Sequence, residues 1–148
     1  MNKSGDIKVL IVDDSPTVRH QIKTILAKRP YQILEAKNGT HAIRVAFESH
    51  PDVALMDVQM PDMDGFECCR HIKHDPELKK IRVIMVTGEN GYEQQTEAYR
   101  MGCNDYVTKP ICDEELLEKL DKIVRFIQIA RTAKKTIADT SKRPGSPI

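Results

Sequence analysis

Tryptophan is absent from the 148-residue sequence, and only 5% of its residues are aromatic. Long apolar runs are missing too, and none approaches the ~20 residues that a membrane-spanning helix needs. The N-terminal segment, residues 1–8, is polar and lacks the apolar stretch of a secretion signal. We therefore expect a cytoplasmic protein without a membrane span.

Net charge is also small. The formal value at pH 7 is +1, which gives no bulk electrostatic reason to expect nucleic-acid binding. The charge is unevenly spread, however. Residues 131–148 contain five basic residues and one aspartate, or +4, which leaves −3 for the first 130 residues. A basic terminal segment of this kind is typical of a solvated linker, so we expect no direct contact with nucleic acid.

Cysteine is scarce, and the spacing of the cysteines does not indicate a metal, redox or disulfide motif. The four cysteines are Cys68, Cys69, Cys103 and Cys112. They form neither a Cys-x-x-Cys motif nor the framework of a disulfide-rich protein. We expect them to be reduced thiols that pack as small residues in the core of a cytosolic protein.

Two apolar patterns alternate along the chain. Short β-branched runs predict buried strands, and apolar residues that recur every three or four positions predict helices. Strands are predicted at 8–12, 31–36, 53–56, 81–86 and 105–108. Helices are predicted at about 16–27, 42–47, 65–74, 92–101 and from 113 onward, with a turn at Asn38 and Gly39.

This alternation is typical of an α/β protein whose parallel sheet has helices on both faces. With right-handed crossovers, the simplest arrangement is a flavodoxin-like, doubly wound (βα)5 three-layer sandwich with strand order 2-1-3-4-5. We predict a flexible N-terminus at 1–6, a domain at 7–127, and a helical extension with a disordered basic tail at 128–148.

Polar residues follow or end four of the five predicted strands. They are Asp13, Asp14, Asp57, Thr87 and Lys109. Because strands one and three are neighbours in the predicted order, the three carboxylates should converge at the switch point of the sheet. Clustered carboxylates repel one another or bind a cation, and oxygen ligands suit Mg²⁺. A carboxylate can also attack phosphorus to form an aspartyl phosphate, which a lysine ammonium and a hydroxyl would assist.

Four segments carry a resemblance to a known family. They are residues 9–15 (VLIVDDS), 55–65 (LMDVQMPDMDG), 84–88 (IMVTG) and 105–110 (DYVTKP). Together they resemble the receiver domains of two-component response regulators, in particular the chemotaxis and single-receiver type. The resemblance covers about residues 7–127.

The resemblance implies that Asp57 accepts a phosphoryl group from the phosphohistidine of a sensor histidine kinase or phosphotransfer protein. It implies Mg²⁺, or Mn²⁺ in its place, held by Asp14, Asp57 and the main-chain carbonyl of Gln59, with Asp13 assisting. Lys109 would contact the phosphoryl group.

The resemblance further implies a switch pair, in which Thr87 moves toward the phosphoryl group and Tyr106 turns inward. It implies a cis peptide bond before Pro110, as tight turns favour. The side chains of Gln59 and Glu89 would flank the path of the hydrolytic water and tune the phosphate lifetime. Beyond self-phosphorylation and autodephosphorylation, we expect no enzymatic activity.

Two alternatives remain open. One is a phosphohydrolase of the haloacid dehalogenase type, which needs Asp-x-Asp after strand one, whereas this chain has adjacent Asp13 and Asp14 and then Pro16. The other is a degenerate receiver that serves only as an interaction module. The complete set of acidic, hydroxyl and lysine residues argues against it.

The last helix carries a heptad pattern that should extend it to about Ile137. The repeating positions are Leu116, Leu120, Ile123, Ile127, Ala130, Lys134 and Ile137. Past Ile127 no sheet remains to be covered, so the helix either pairs with a second copy or leads to an output domain. A lysine in the seam predicts a monomer–dimer equilibrium rather than an obligate dimer.

Overall fold

The computed structural model describes residues 6–88 and 92–141. The strands are β1 (Lys8–Val12), β2 (Gln32–Ala36), β3 (Val53–Asp57), β4 (Arg82–Thr87) and β5 (Asp105–Thr108). The helices are α1 (Pro16–Leu26), α2 (Gly39–Ser49), α3 (Gly65–His74), α4 (Tyr92–Arg100) and α5 (Asp113–Ser141). All paired strands are parallel, in the order β2-β1-β3-β4-β5, which confirms the predicted flavodoxin-like fold.

Two apolar clusters fill the space on the two sides of the sheet. Along β1, Leu10 and Val12 belong to one cluster and Val9 and Ile11 to the other, as the two-residue period of a strand requires. Helices α2, α3 and α4 cover the first cluster, whereas α1 and α5 cover the second. The central strands are therefore buried on both faces, which explains their continuous apolar sequence.

Side-chain caps fix where three helices begin. Ser15, Asn38 and Asp64 each accept a hydrogen bond from a backbone N–H three residues later. The predicted turn at Asn38 and Gly39 is therefore wrong, because these residues are the N-cap and first residue of α2. At the far end of α4, Gly102 has φ of 98°, a left-handed conformation that favours glycine.

The start of α3 requires a glycine for steric reasons. A Cβ atom on Gly65 would lie 2.2 Å from the backbone oxygen of Asp57. The Gly65 N–H also donates to the Val58 carbonyl, at 2.8 Å. This close approach packs α3 directly against the end of β3, so Gly65 fixes the backbone that carries Asp57.

The cysteines match their predicted environment in three of four cases. Cys68, Cys69 and Cys103 are buried, and burial raises the pKa of each thiol, so they behave as inert core residues. Cys112 is exposed, so its prediction as a core residue is wrong. It lies one residue before α5, where the chain leaves the sheet. Across the described residues, no helix is long and apolar enough to cross a membrane.

Helix α5 is 29 residues long and continues beyond its predicted end, to Ser141. The first part of the predicted seam packs on the sheet, since Leu116 and Leu120 are fully buried. Further along, Ile127 is half-buried and Ile137 is exposed. An ion pair between Arg131 and Asp52 fastens the extension to the edge of the domain. Disorder is predicted for residues 141–148, which is wrong for Ser141, the last residue of α5, while residues 142–148 lie outside the described residues, as do residues 1–5.

Candidate functional site

Three carboxylates meet at the carboxyl edge of the sheet, where its strand order reverses. Asp57 is the last residue of β3, and Asp13 and Asp14 directly follow β1, the neighbouring strand. One oxygen atom of each carboxylate lies within 4.8 Å of the others. The predicted convergence of the three acids therefore holds, and it occupies the position where open α/β sheets bind ligands.

Asp13 is the most deeply buried member of this acidic cluster. Its residue is only 2% exposed, compared with 5% for Asp57, while Asp14 is open to solvent. The Oδ1 atom of Asp13 accepts a hydrogen bond from the Ser15 N–H at 2.9 Å. Its Oδ2 atom is buried and makes no hydrogen bond among the described residues, although the Lys109 ammonium forms an ion pair with it at 3.5 Å. A buried carboxylate oxygen in this state is suited to a cation.

Lys109 supplies the positive charge that the cluster needs. Its Nζ atom lies 3.3 Å from Asp57 Oδ1 and 3.5 Å from Asp13 Oδ2. The Lys109 N–H also donates to the Thr87 carbonyl at 2.7 Å, which ties the loop after β5 to the end of β4. The peptide bond from Lys109 to Pro110 is cis, the isomer expected from the sequence.

The local field acts against the ionised form of Asp57. Burial raises the pKa of its carboxyl group, and the neighbouring charge of Asp13 raises it further. The Lys109 ammonium and the Gln59 N–H act in the opposite direction. Because burial and the Asp13 charge together outweigh these two contacts, the pKa of Asp57 stays raised, and additional positive charge at this site would be favourable.

Arg19 supports the acidic cluster from α1, and we did not identify it from the sequence. Its Nη1 atom donates to the Asp13 carbonyl at 2.6 Å, and its Nε atom pairs with Glu35 at 3.1 Å. Lys23 holds the same carboxylate at 3.2 Å. The contact joins α1, β1 and the end of β2, so only the tertiary fold reveals it. The sequence itself indicates only that Arg19 follows Asp14 by five residues.

An open cavity of about 520 Å³ adjoins the cluster. Its lining includes Asp14, Gln59, Thr87 and Gln94, so it offers carboxylate, amide and hydroxyl groups beside the acidic site. Thr87 is 6% exposed and ends β4, directly after the residue that is in register with Asp57. Gln59 is exposed at the rim. Glu89 lies outside the described residues.

Tyr106 lies on β5, the edge strand of the sheet, which is two strands away from β3. It is half-buried, and its ring meets that of Tyr99 edge-on, with centroids 6.0 Å apart. The Lys119 Nζ atom lies 4.8 Å from the Tyr106 ring centroid, a cation–π geometry. The Tyr106 side chain therefore links α4, β5 and α5.

A doubly wound sheet with clustered carboxylates and a lysine at its switch point defines a class of signalling domain, the receiver. Residues 9–121 match the response regulator receiver domain family, and the chain belongs to this family. Receivers act as phosphoacceptors in two-component signal transduction, so the chain is a signalling domain of this kind.

Two relatives and one solved structure are matched over nearly their whole length. The chain is 38% identical to protein PilH of Pseudomonas aeruginosa over 117 residues, which cover 79% of this chain and 97% of PilH. It is 34% identical to chemotaxis protein CheY1 of Helicobacter pylori over 120 residues, or 80% and 97% of the two chains. The solved structure of chemotaxis protein CheY4 of Vibrio cholerae superposes with a TM-score of 0.75 at 31% identity, covering 80% of this chain and 98% of that one.

Proposed function

We propose that Asp57 is the phosphoacceptor of this receiver and that its phosphorylation changes the surface presented to a partner. The observation that carries the proposal is the 3.3 Å contact between the buried Asp57 carboxylate and the Lys109 ammonium, beside two further carboxylates. A nucleophile, a neutralising cation and a cluster of oxygen ligands thus share one edge of the sheet.

In the proposed transfer, an Asp57 carboxylate oxygen attacks the phosphorus atom of a phosphohistidine. An O–P bond forms, the N–P bond breaks, and its electron pair returns to the imidazole nitrogen, which takes a proton from solvent. Such a transfer depends mainly on positioning and charge neutralisation. The Lys109 ammonium offsets charge on the phosphoryl oxygens, and the Thr87 hydroxyl donates to one of them.

The residues at the site fit a divalent cation. One oxygen atom of each of the three carboxylates lies within 4.8 Å of the others, and within the described part of the chain the buried Asp13 Oδ2 atom makes no hydrogen bond and has only the Lys109 ion pair. Asp14, Asp57 and the main-chain carbonyl of Gln59 would hold Mg²⁺ or Mn²⁺, with Asp13 assisting. When bound, the cation would offset the negative charge of the carboxylates and of an incoming phosphoryl group.

The conformational response would run from Thr87 to Tyr106. Movement of the Thr87 hydroxyl toward the phosphoryl group would open space behind β4, and the Tyr106 ring would turn inward to fill it. Because that ring contacts Tyr99 of α4 and Lys119 of α5, its rotation would change the surface of both helices.

We expect the chain to perform only self-phosphorylation by small acyl phosphates and autodephosphorylation. Gln59 and Glu89 would tune the phosphate lifetime through the approach of water. A histidine kinase or phosphotransfer protein would donate the phosphoryl group, and a target protein or output domain would read the changed surface. A cytoplasmic location, a weak homodimer and the absence of nucleic-acid or membrane contacts stay predictions.

Incubation with acetyl phosphate and Mg²⁺, followed by intact-mass spectrometry, tests the proposal. We expect one phosphoryl group per chain, lost in Asp57→Asn. Asp62→Asn is the matched control, because Asp62 is an exposed carboxylate in the adjacent loop, and Asn tolerates its positive φ of 71°.

Three outcomes would contradict the proposal in distinct ways. Labelling that persists in Asp57→Asn would place the acceptor elsewhere, and full labelling in excess chelator would remove the cation's role. Steady hydrolysis of a generic phosphate ester would instead support the phosphohydrolase alternative.

A further inference from the structure

Helix α5 forms one wall of a second cavity, at the edge of the sheet opposite to Asp57. The cavity has a volume of about 870 Å³ and lies at the amino ends of β3, β4 and β5. Ile127, Ala130, Arg131 and Lys134 of α5 line it. All four residues follow position 121, where the family match ends. This wall therefore comes from the part of the helix that is additional to the matched domain.

Polar contacts hold the walls of the cavity in place. The Arg131 guanidinium pairs with Asp52, whose second carboxylate oxygen accepts the Lys8 N–H at 2.8 Å. On the opposite side, Lys73 Nζ donates to the Asn104 side chain at 2.9 Å. The extension is thus anchored to the strand ends, and the cavity is formed before any ligand arrives.

Positive charge dominates the lining. It includes six cationic side chains, Lys73, Lys79, Lys80, Arg82, Arg131 and Lys134. The lining has only two acids, Asp52 and Glu77, which leaves a local charge of +4 in a chain whose total is +1.

Both of these acids are already engaged. Asp52 pairs with Arg131, and Glu77 lies 3.5 Å from His50. Among the side chains that the structure describes, those of residues 6–88 and 93–138, no ion pair includes Lys79, Lys80, Arg82 or Lys134. Several cations therefore converge without internal neutralisation, which is favourable only when solvent ions or an anionic ligand balance them.

The cavity also has an apolar base. Ile81 is 5% exposed, Pro51 is buried, and Ile127 is half-buried beside them. A ligand that matches this lining would carry several negative charges at one end and an apolar or planar body at the other. The volume lies in the range of small-molecule sites, roughly 300–1,000 Å³.

From this geometry, we propose that the cavity binds a phosphate-rich small molecule, with at least two phosphate groups on the lysine and arginine side chains. The shared chemistry is a polyphosphate, which could come from an inorganic chain or from a nucleotide. The apolar base favours a nucleotide, because an inorganic chain leaves that surface uncovered. The site would be independent of Asp57 and of the phosphoryl transfer proposed there.

Isothermal titration calorimetry of the full chain with tripolyphosphate, ATP and adenosine, without added divalent cation, tests this site. We expect ATP and tripolyphosphate to bind and adenosine alone to bind far more weakly. Tighter binding of ATP than of tripolyphosphate would support a nucleotide, and equal binding would support an inorganic polyphosphate.

Variants distinguish binding in the cavity from non-specific electrostatic binding elsewhere on the surface. Lys80→Glu and Ala130→Trp should each weaken ATP binding by about tenfold or more, through charge and through steric filling respectively. Lys37→Glu makes the same charge change outside the cavity, and Ala133→Trp adds the same bulk on an exposed position of α5 that does not line it. Both controls should bind as the unmodified chain does, and thermal unfolding checks that every variant is folded.

The proposal would be overturned if neither phosphate compound bound, or if Ala130→Trp and Lys80→Glu bound ATP as tightly as their controls. Tighter binding of a polyglutamate peptide than of both phosphate compounds would also overturn it. That result would assign the surface to an acidic protein segment.

Discussion

The Lys109 ammonium lies between the two buried carboxylates of the site, 3.3 Å from Asp57 and 3.5 Å from Asp13. One partly exposed cation therefore faces two buried acids. The charge at this site therefore affects two properties, the free energy of unfolding and the proposed phosphoryl transfer to Asp57. A substitution that changes this charge should change both properties.

Removal of the Lys109 charge should destabilise the domain. In Lys109→Ala the two carboxylates lose their cation, and we expect the free energy of unfolding at pH 7 to fall by about 2 kcal/mol. The loss should shrink as pH falls through the carboxyl pKa values, because protonated acids no longer repel. Lys109→Arg retains the charge and is the control. Urea denaturation at pH 7 and near pH 4 measures both effects, and an equal loss at the two pH values would contradict this electrostatic account.

Asp57→Asn should have the opposite effect on stability. The folded-state pKa of Asp57 is raised by burial and by Asp13, so ionisation of this residue costs free energy in the folded state. The penalty is absent below the unfolded-state pKa and grows as pH rises through the folded-state pKa. We therefore expect Asp57→Asn to stabilise the domain at pH 7, by about 1 kcal/mol, and to have little effect at pH 3. Thermal unfolding at both pH values checks this, and destabilisation at pH 7 would refute it.

Arg19 should matter for the cation site rather than for folding alone. It holds the Asp13 carbonyl, whereas Lys23 contacts the same Glu35 without reaching Asp13. Arg19→Gln should therefore raise the Mg²⁺ concentration for half-maximal labelling by acetyl phosphate by roughly tenfold, as loss of an outer-sphere support does. Arg19→Lys should restore part of the affinity, and Lys23→Gln should leave it unchanged. A uniform loss of labelling at every Mg²⁺ concentration would indicate a structural role only.

The fold and the acidic cluster could be predicted from the sequence because both follow from local rules. Apolar periods define strands and helices, and parallel strands bring their carboxyl ends to one edge, so Asp13 and Asp57 must meet. The local sequence pattern cannot predict a contact that a residue makes with a different helix or strand, or an exposure that depends on the tertiary fold. The contact of Arg19 with the Asp13 carbonyl depends on how α1 packs, and the exposure of Cys112 depends on where the chain leaves the sheet. Asn and Gly are typical of turns, but an asparagine side chain that accepts a backbone N–H can equally cap a helix, as Asn38 does.

The heptad pattern of α5 shows a different limit. Its spacing is compatible with both a helix pair and a helix packed on a sheet, and burial of Leu116 and Leu120 assigns the first part to the sheet. Only contacts distinguish these alternatives, because both need the same apolar positions.

Loss of the Thr87 hydroxyl should uncouple phosphorylation from its conformational response. We expect Thr87→Ala to accept phosphate on Asp57 while the beryllofluoride-induced amide shift changes in α4, β5 and α5 disappear. Thr108→Ala is the matched control, because Thr108 pairs with Thr87 in register on the adjacent strand. Its shift changes should resemble those of the unmodified chain. Shift changes confined to the loops around Asp57 in the unmodified chain would count against a switch through Tyr106.

The exposed apolar side chains of the α5 extension should support weak self-association. Phe126 and Ile129 are each 58% exposed, and Ile137 is 70% exposed. All three lie beyond residue 121, where the family match ends. Pairing with a second copy would bury them, whereas neighbouring basic residues limit its strength, so we expect a dimer with a Kd on the order of 0.1 mM.

Sedimentation equilibrium over a range of protein concentrations, with and without beryllofluoride, measures this association. The double variant Phe126→Ser and Ile137→Ser should remain monomeric throughout. Phe47→Ser is the control, because Phe47 is also an exposed apolar residue, 39% accessible, but lies on α2. It should dimerise as the unmodified chain does. An unmodified chain that stays monomeric at every concentration in both states would exclude pairing through α5 and leave its extension to contact another protein or an output domain.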